Sequence, residues 1–109
     1  MAMVRACSLD DLWEGEMREV SIGGRRVLLV HADGGHLAAF SALCPHQAFP
    51  LVNGSLEGNV LTCSAHLWQF DATTGLGVNP KGCALRRYAV MQDNGEVFVD
   101  LAATAPATP

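Results

Sequence analysis

Two short segments of the sequence each pair a cysteine with a histidine. The first reads CPH, from Cys44 to His46, and the second reads CSAH, from Cys63 to His66. Thiolate and imidazole groups together suit soft or borderline metals such as iron and zinc. The sixteen residues between His46 and Cys63 are enough for a hairpin that brings the two segments together. We therefore predict one metal centre built from two short loops.

This ligand set leaves two kinds of metal centre open. A zinc site with two cysteines and two histidines more often takes its cysteines from one segment and its histidines from another. Here each segment supplies one of each, which favours a two-iron cluster. One iron would bind two thiolates and the other two imidazoles, with two inorganic sulfides between them, which is the Rieske arrangement. A structural zinc module that binds another protein remains the alternative from a different functional class.

Further segments extend the pattern over most of the chain, from about Ala6 to Asp100. They read SLDDLWEGEM, CPHQ, AHLWQF and GLGVNPKGCAL. Together they resemble the Rieske ferredoxins of bacterial toluene monooxygenases. The resemblance implies one Rieske [2Fe–2S] cluster, with the ligands Cys44, His46, Cys63 and His66.

The same resemblance implies a function and partners. The chain would be a one-electron carrier and not itself an enzyme. It would take electrons from an NADH-dependent flavin/iron–sulfur reductase and pass them to the di-iron hydroxylase that oxidises an aromatic compound. Alternatively, the chain would be the ferredoxin of an aromatic-ring-hydroxylating dioxygenase. The same cluster would then pass its electron to an oxygenase whose catalytic iron is mononuclear. The small subunit of a nitrite-reductase-like enzyme is a further alternative, which the chain-wide resemblance disfavours.

Several residues beside the ligands are candidates for covering the cluster or docking a partner. By resemblance, the NPKG segment with Pro80 looks like the proline-containing loop that covers the cluster. Gln47, Leu67 and Trp68 flank the ligands, and packing under the cluster is an equal alternative for Trp68. Leu67 stands where many members of the family have glycine.

The elements that must position these residues are short strands separated by turns. Three glycine-containing turns, at residues 23–24, 33–35 and 93–95, are flanked by apolar runs and predict hairpins. We expect an all-β fold, an antiparallel sandwich or barrel, with a loop-rich cluster-binding subdomain inserted at about residues 43–82. A short helical turn from Ser8 to Trp13 and a loose tail at about residues 102–109 complete the expectation.

Length, charge and composition restrict the function classes. The chain has 109 residues, and we expect the whole of 1–109 to be a single domain. Its net charge is −4, and its seven lysines and arginines are scattered along the sequence, which argues against nucleic acid binding. No apolar run approaches the roughly 20 residues that span a bilayer, and the N-terminus lacks the pattern of a secretion signal. We expect a cytoplasmic monomer, in which Cys7 and Cys83 lack ligand spacing and belong to the core.

Overall fold

The computed structural model describes residues 3–44, 49–64, 67–79 and 81–105. Within these ranges the regular structure consists of strands and two short 3₁₀ turns, so the all-β prediction is confirmed. The strands are β1 (Val4–Ser8), β2 (Met17–Ile22), β3 (Arg25–Ala32), β4 (His36–Ser41), β5 (Ser55–Glu57), β6 (Val60–Thr62), β7 (Gln69–Asp71), β8 (Gly77–Asn79), β9 (Arg87–Asp93) and β10 (Glu96–Ala105), and the 3₁₀ turns are Leu9–Asp11 and Leu51–Asn53. Among the described residues, no helix is long and apolar enough to cross a membrane.

The larger sheet has six strands in the order β1-β10-β9-β4-β3-β2, all antiparallel. The three predicted hairpins are β2–β3, β3–β4 and β9–β10. The last has Asn94 and Gly95 at φ 52° and 76°, a backbone conformation that asparagine and glycine tolerate best. The edge strands β1 and β2 also contact each other, so the sheet curls towards a closed barrel.

Strand β3 is buried on both faces, which explains its uninterrupted apolar run. Val27 and Leu29 point into the core enclosed by the six-stranded sheet. Leu28 and Val30 point to the opposite side, into a second core shared with the smaller sheet. Burying each such side chain contributes roughly 1.5–3 kcal/mol. Strand β3 therefore ties the barrel to the part of the chain that carries the metal-binding pattern.

The smaller sheet lies between β4 and β9 in the sequence and has the order β5-β6-β7-β8. Phe70 of β7 and Leu61 of β6 are fully buried against Phe40 of β4. Two backbone hydrogen bonds fasten its ends, from Leu51 N–H to the Ala42 carbonyl at 2.9 Å and from Leu85 N–H to the Gly75 carbonyl at 2.8 Å. The segment with the predicted cluster ligands is thus packed against the barrel through apolar side chains.

A carboxylate organises the turn between β7 and β8. Asp71 Oδ1 accepts hydrogen bonds from the Thr73 backbone N–H at 2.8 Å and the Thr73 hydroxyl at 2.6 Å. Partial burial by itself raises the pKa of Asp71, but these bonds and one from the Thr74 N–H outweigh it and hold the pKa below its usual range. The ionised carboxylate therefore stabilises the turn at neutral pH, and this contribution is lost as the pH falls through the folded-state pKa.

Two terminal elements differ from expectation. Strand β10 continues to Ala105, so it includes the first residues of the segment expected to be a loose tail; residues 106–109 lie outside the described ranges. A register shift between Asp100 and Thr104 lets the strand pair again with β9, although its small residues show no alternation in sequence. The helical turn near the N-terminus covers only Leu9–Asp11, with the Ser8 hydroxyl accepting from the Asp10 N–H at 3.2 Å.

Candidate metal centre

Cys44 and Cys63, the two cysteines with a histidine close by in sequence, each begin a loop. Each loop is closed by a backbone hydrogen bond of the same kind. Cys44 N–H donates to the Phe49 carbonyl at 2.8 Å, and Cys63 N–H donates to the Trp68 carbonyl at 2.7 Å. Both bonds span five residues, so the two loops have equal length. Each loop begins with a cysteine and ends with an aromatic residue.

The two loops also have equivalent bases. Leu43 and Pro50, which flank the first loop, form an isolated antiparallel bridge. Thr62 and Gln69, which flank the second, are partners in the β6–β7 ladder. Each loop is therefore the tip of an antiparallel hairpin, and the smaller sheet and the end of β4 hold the two tips.

The structure brings Cys44 and Cys63 into one apolar cluster. Their exposed fractions are 1% and 0%, and both belong to the core shared by the two sheets. All four cysteines of the chain lie in the described residues, and none is in a disulfide. Two buried thiols in the same core, each at the start of a hairpin tip, fit one half of a two-iron ligand set.

The imidazole half of the predicted ligand set, His46 and His66, lies outside the described residues. So do Gln47 and Pro80 of the predicted cover. Among the residues that the structure describes, no group of three or more His, Cys, Asp or Glu could hold a metal ion. In the sequence, however, each histidine falls between the two hydrogen-bonded ends of its loop.

Leu67 adopts an unusual backbone conformation in the second loop. Its φ is +56°, in the left-handed region that favours glycine, and its side chain is 67% exposed. This conformation gives a physical reason why glycine suits the position that Leu67 occupies. With Phe49, which is 45% exposed at the end of the first loop, Leu67 places apolar surface beside both cysteines.

Trp68 lies at the end of the second loop, next to Leu67. Its side chain is partly buried and packs against the core that contains Cys44 and Cys63. Its carbonyl also closes the second loop. This burial favours the packing alternative for Trp68, and the choice between packing and docking stays a prediction.

A close backbone contact at Gly54 was not foreseen from the sequence. A Cβ atom at this position would lie 1.9 Å from the Thr62 carbonyl oxygen, immediately before Cys63. Both residues line a cavity of about 310 Å³ beside the second loop. An Asn-Gly pair is a common turn signal, but nothing in the sequence shows which strand the turn approaches.

The remaining cysteines and histidines lie away from the two loops or at their margin. Cys7 is buried in the barrel core, and this burial raises the pKa of its thiol. Cys83 is partly buried against the core that holds the two loop cysteines. His36 is exposed, whereas His31 is half-buried, with Nδ1 2.9 Å from the Leu12 carbonyl oxygen.

Comparison with known proteins agrees with this geometry. A family model described as the Rieske [2Fe–2S] domain matches residues 2–94. The ferredoxin component of an alkene monooxygenase system from Xanthobacter autotrophicus is 41% identical over 88% of this chain and 79% of its own length. The ferredoxin component of the p-cumate 2,3-dioxygenase system from Pseudomonas putida is 33% identical over 93% of this chain and 87% of its own.

A solved structure is similar over almost the whole fold. It is titled as a complex of reduced oxygenase and oxidised ferredoxin in carbazole 1,9a-dioxygenase. Its matching chain has a TM-score of 0.80 and 27% sequence identity, covering 89% of this chain and 91% of that chain.

The contact at Gly54 predicts that Gly54→Ala disrupts the second loop. The added methyl group would force Thr62 and the adjoining Cys63 to move, at a cost of about 2 kcal/mol or more. We expect a lower free energy of unfolding and less bound iron and acid-labile sulfide per chain. Ser55→Ala, at an exposed neighbour, is the control and should change neither quantity. Full iron content and wild-type stability in Gly54→Ala would contradict the close approach.

The left-handed backbone at Leu67 predicts opposite effects of glycine and valine. Leu67→Gly relieves about 1–2 kcal/mol of strain, partly offset by about 0.5–1 kcal/mol of lost chain entropy. We expect its free energy of unfolding to be equal to or slightly above that of the wild type. Leu67→Val, whose branched side chain tolerates this conformation worst, should lower it by about 1 kcal/mol. Chemical denaturation of the wild type and both variants measures these free energies of unfolding. A Leu67→Val variant as stable as Leu67→Gly would contradict a strained backbone at this position.

Proposed function

Starting from the chain's membership of the Rieske [2Fe–2S] family, we propose that Cys44 and Cys63 bind one iron of the cluster and that His46 and His66 bind the other. The observation that carries this assignment is the pair of equal loops, each begun by a buried cysteine and each containing one histidine in sequence. When bound, such a cluster accepts and releases one electron, with a potential in the range of about −150 to +300 mV. The chain is accordingly a Rieske ferredoxin, an electron-transfer component of an oxygenase system and not its catalyst.

The residues around the loops serve this role by fixing and shielding the ligands. The two thiols lie in an apolar core, where water is excluded and their positions are set by packed neighbours. The two loop-closing hydrogen bonds fix the backbone at each cysteine. The protein would then rearrange little when the cluster is reduced or oxidised, and a small rearrangement favours rapid electron transfer.

The electron acceptor is an oxygenase component, and its finer identity is part of the proposal. We assign the chain to the di-iron hydroxylase of a toluene or related aromatic monooxygenase. Support comes from the chain-wide sequence resemblance and from a 41% identical relative named as a monooxygenase ferredoxin. The electron donor would be an NADH-dependent flavin/iron–sulfur reductase, and the carrier would act as a cytoplasmic monomer that exchanges between the two.

A second acceptor is favoured by a specific observation. The p-cumate relative and the carbazole structure both belong by name to dioxygenase systems. The ferredoxin of an aromatic-ring-hydroxylating dioxygenase therefore remains the alternative, with the same cluster and the same ligands.

Anaerobic stopped-flow mixing separates these two acceptors. Chemically reduced protein is mixed with the oxidised di-iron hydroxylase of a toluene monooxygenase and, in parallel, with the oxidised oxygenase of an aromatic dioxygenase. Loss of the reduced cluster's absorbance measures transfer. We expect fast oxidation by the di-iron enzyme and slow oxidation by the other. The reverse order would assign the chain to a dioxygenase system, and no transfer to either would reject both acceptors.

The ligand assignment predicts the effect of replacing each histidine. His46→Cys and His66→Cys would substitute a charged thiolate for a neutral imidazole. We expect either no cluster or one with a much lower potential and without the Rieske optical and electron paramagnetic resonance spectra. His36→Cys, at an exposed histidine outside both loops, is the control and should keep the wild-type spectra. A wild-type spectrum and potential in either loop variant would show that its histidine is not a ligand.

A further inference from the structure

The basic residues that are scattered in the sequence are brought together by the sheet. Ala42 N–H donates to the Arg26 carbonyl at 3.2 Å, and on the other side of the same segment Ser41 N–H donates to the Arg86 carbonyl at 2.9 Å. The end of β4 therefore runs between the start of β3 and the residues that lead into β9. We call the basic residues on these two flanking segments the arginine cluster: Arg25, Arg26, Arg86 and Arg87.

The arginine cluster lies at the end of the sheet from which the metal-binding loops extend. The chain passes from Ser41, between the two pairs of arginines, directly to Cys44 at the start of the first loop. Strand β6 ends at Thr62, next to Cys63, and β8 ends at Asn79, which pairs with Gln69 next to Trp68. Exposed Lys81 follows two residues later. Positive charge is thus concentrated beside the cluster-binding end.

Most carboxylates lie at the opposite end of the strands. The β9–β10 turn, the Leu9–Asp11 turn and the β3–β4 turn all meet there, as the hydrogen bonds from Leu9 N–H to the Gly95 carbonyl and from Gly34 N–H to Glu14 Oε2 show. The β5–β6 turn joins them through a bond from Asp33 N–H to Asn59 Oδ1. The acidic residues on these turns and at the adjoining strand ends are Asp10, Asp11, Glu14, Glu16, Asp33, Glu57, Asp93 and Glu96.

The basic end and the acidic end of the strands are electrostatically independent of each other at physiological ionic strength. Strand β3 has eight residues, so the ends lie roughly 25 Å apart. The Debye length is about 8 Å at physiological ionic strength. A protein that approaches the cluster-binding end therefore meets the arginines rather than the net charge of −4.

Part of the arginine cluster is available to a partner. Arg26 is engaged by Glu19, with Nε–Oε2 and Nη2–Oε1 distances of 2.6 and 3.1 Å. Arg25 and Arg86 are both exposed, and neither is in an ion pair among the described residues. Arg25 also borders a cleft of about 340 Å³ lined by Ser41 and Tyr88, which has room for an incoming carboxylate side chain.

We propose that the arginine cluster is a docking surface for an acidic face of the oxygenase component, and that it turns the cluster-binding end of this chain towards its acceptor. This inference rests on the proposed function only for the identity of the partner. Charge pairs of this kind chiefly raise the rate of association and orient the encounter. The partner's carboxylates would meet Arg25 and Arg86 while its electron-accepting site faces the two loops.

Charge reversal tests the proposal against a matched control. The variants are Arg25→Glu, Arg86→Glu and the double variant, and the control is Arg18→Glu. Arg18 is equally exposed but pairs with Leu29 towards the acidic end of β2. Each single change alters the net charge by the same amount. The optical spectrum of each variant is measured first and should match the wild type, because none of these arginines lies in the two loops. The potential is measured as well. Added negative charge lowers it, which favours oxidation of the cluster, so slower electron transfer to the oxygenase is not explained by that change.

The first readout is the interaction with whichever oxygenase component oxidises the wild-type protein. We expect the second-order rate of electron transfer at low salt to fall about 3–10-fold in each single variant and about 10–100-fold in the double variant. The Kd of the oxidised proteins should rise in the same order. Arg18→Glu should change both less than twofold, and all rates should converge at about 1 M salt.

The second readout does not depend on a protein partner. Reduced protein is oxidised by the iron(III)–EDTA anion, which takes up one electron and becomes the iron(II) chelate. Arg25→Glu and Arg86→Glu should each react more slowly than Arg18→Glu at low salt, because all three carry the same net charge and only the first two lose positive charge beside the cluster-binding end.

The outcomes separate the docking surface from the carrier function. Wild-type rates and Kd values in the double variant would overturn the docking surface and leave the carrier function intact. Slowed reduction by the reductase with unchanged oxidation by the oxygenase would also overturn it, since the surface would then belong to the donor. If neither oxygenase component oxidises the wild-type protein, the proposed function fails, and the acceptor assigned to this surface fails with it.

Discussion

The metal-binding end of this protein depends on two backbone hydrogen bonds of equal span. Each is donated by the N–H of a buried cysteine to the carbonyl five residues later, at Phe49 in one loop and Trp68 in the other. Such a bond fixes the cysteine backbone at the same point where the sheet ends and the loop begins. Each loop thus has a fixed cysteine at its start, and in the sequence the histidines stand at different positions within the two loops. The one-residue difference in spacing is absorbed inside loops of equal length.

These loops are only as rigid as the core beneath them. Cys44 and Cys63 share that core with Phe40, Leu61 and Phe70, which belong to both sheets. The barrel therefore contributes directly to the surroundings of both cysteines, because β3 and β4 supply side chains to this core. Truncation of a large core side chain lowers the free energy of unfolding by about 2–5 kcal/mol. It would also loosen the packing around the two thiols, even where the substituted residue is far from the loops in sequence.

The all-β class and the three hairpins could be predicted from the sequence, because turn glycines are local signals. The ligand set stays a prediction, although the structure places Cys44 and Cys63 in the same core. The contact of Gly54 with Thr62 could not, since it depends on how two hairpins pack. The left-handed backbone at Leu67 could not be predicted either, because a leucine in the sequence does not indicate a positive φ as a glycine does. The sequence predicts too short a strand β10, because its last residues do not alternate between apolar and polar. The strand is extended by pairing with residues of β9 that are distant in sequence.

The distribution of charge shows the same limit most clearly. Arg25 and Arg86 are sixty-one positions apart in sequence, and a count along the chain makes the cations look dispersed. Antiparallel pairing places the start of β3 and the approach to β9 on either side of one segment, so the cations meet at a single end of the sheet. The turns that connect the strands at the other end carry many of the carboxylates, including Asp33 and Asp93, and aspartate is common in turns. An acidic carrier can therefore present a basic face beside its electron-transfer site, and net charge alone is a poor guide to the kind of partner it meets.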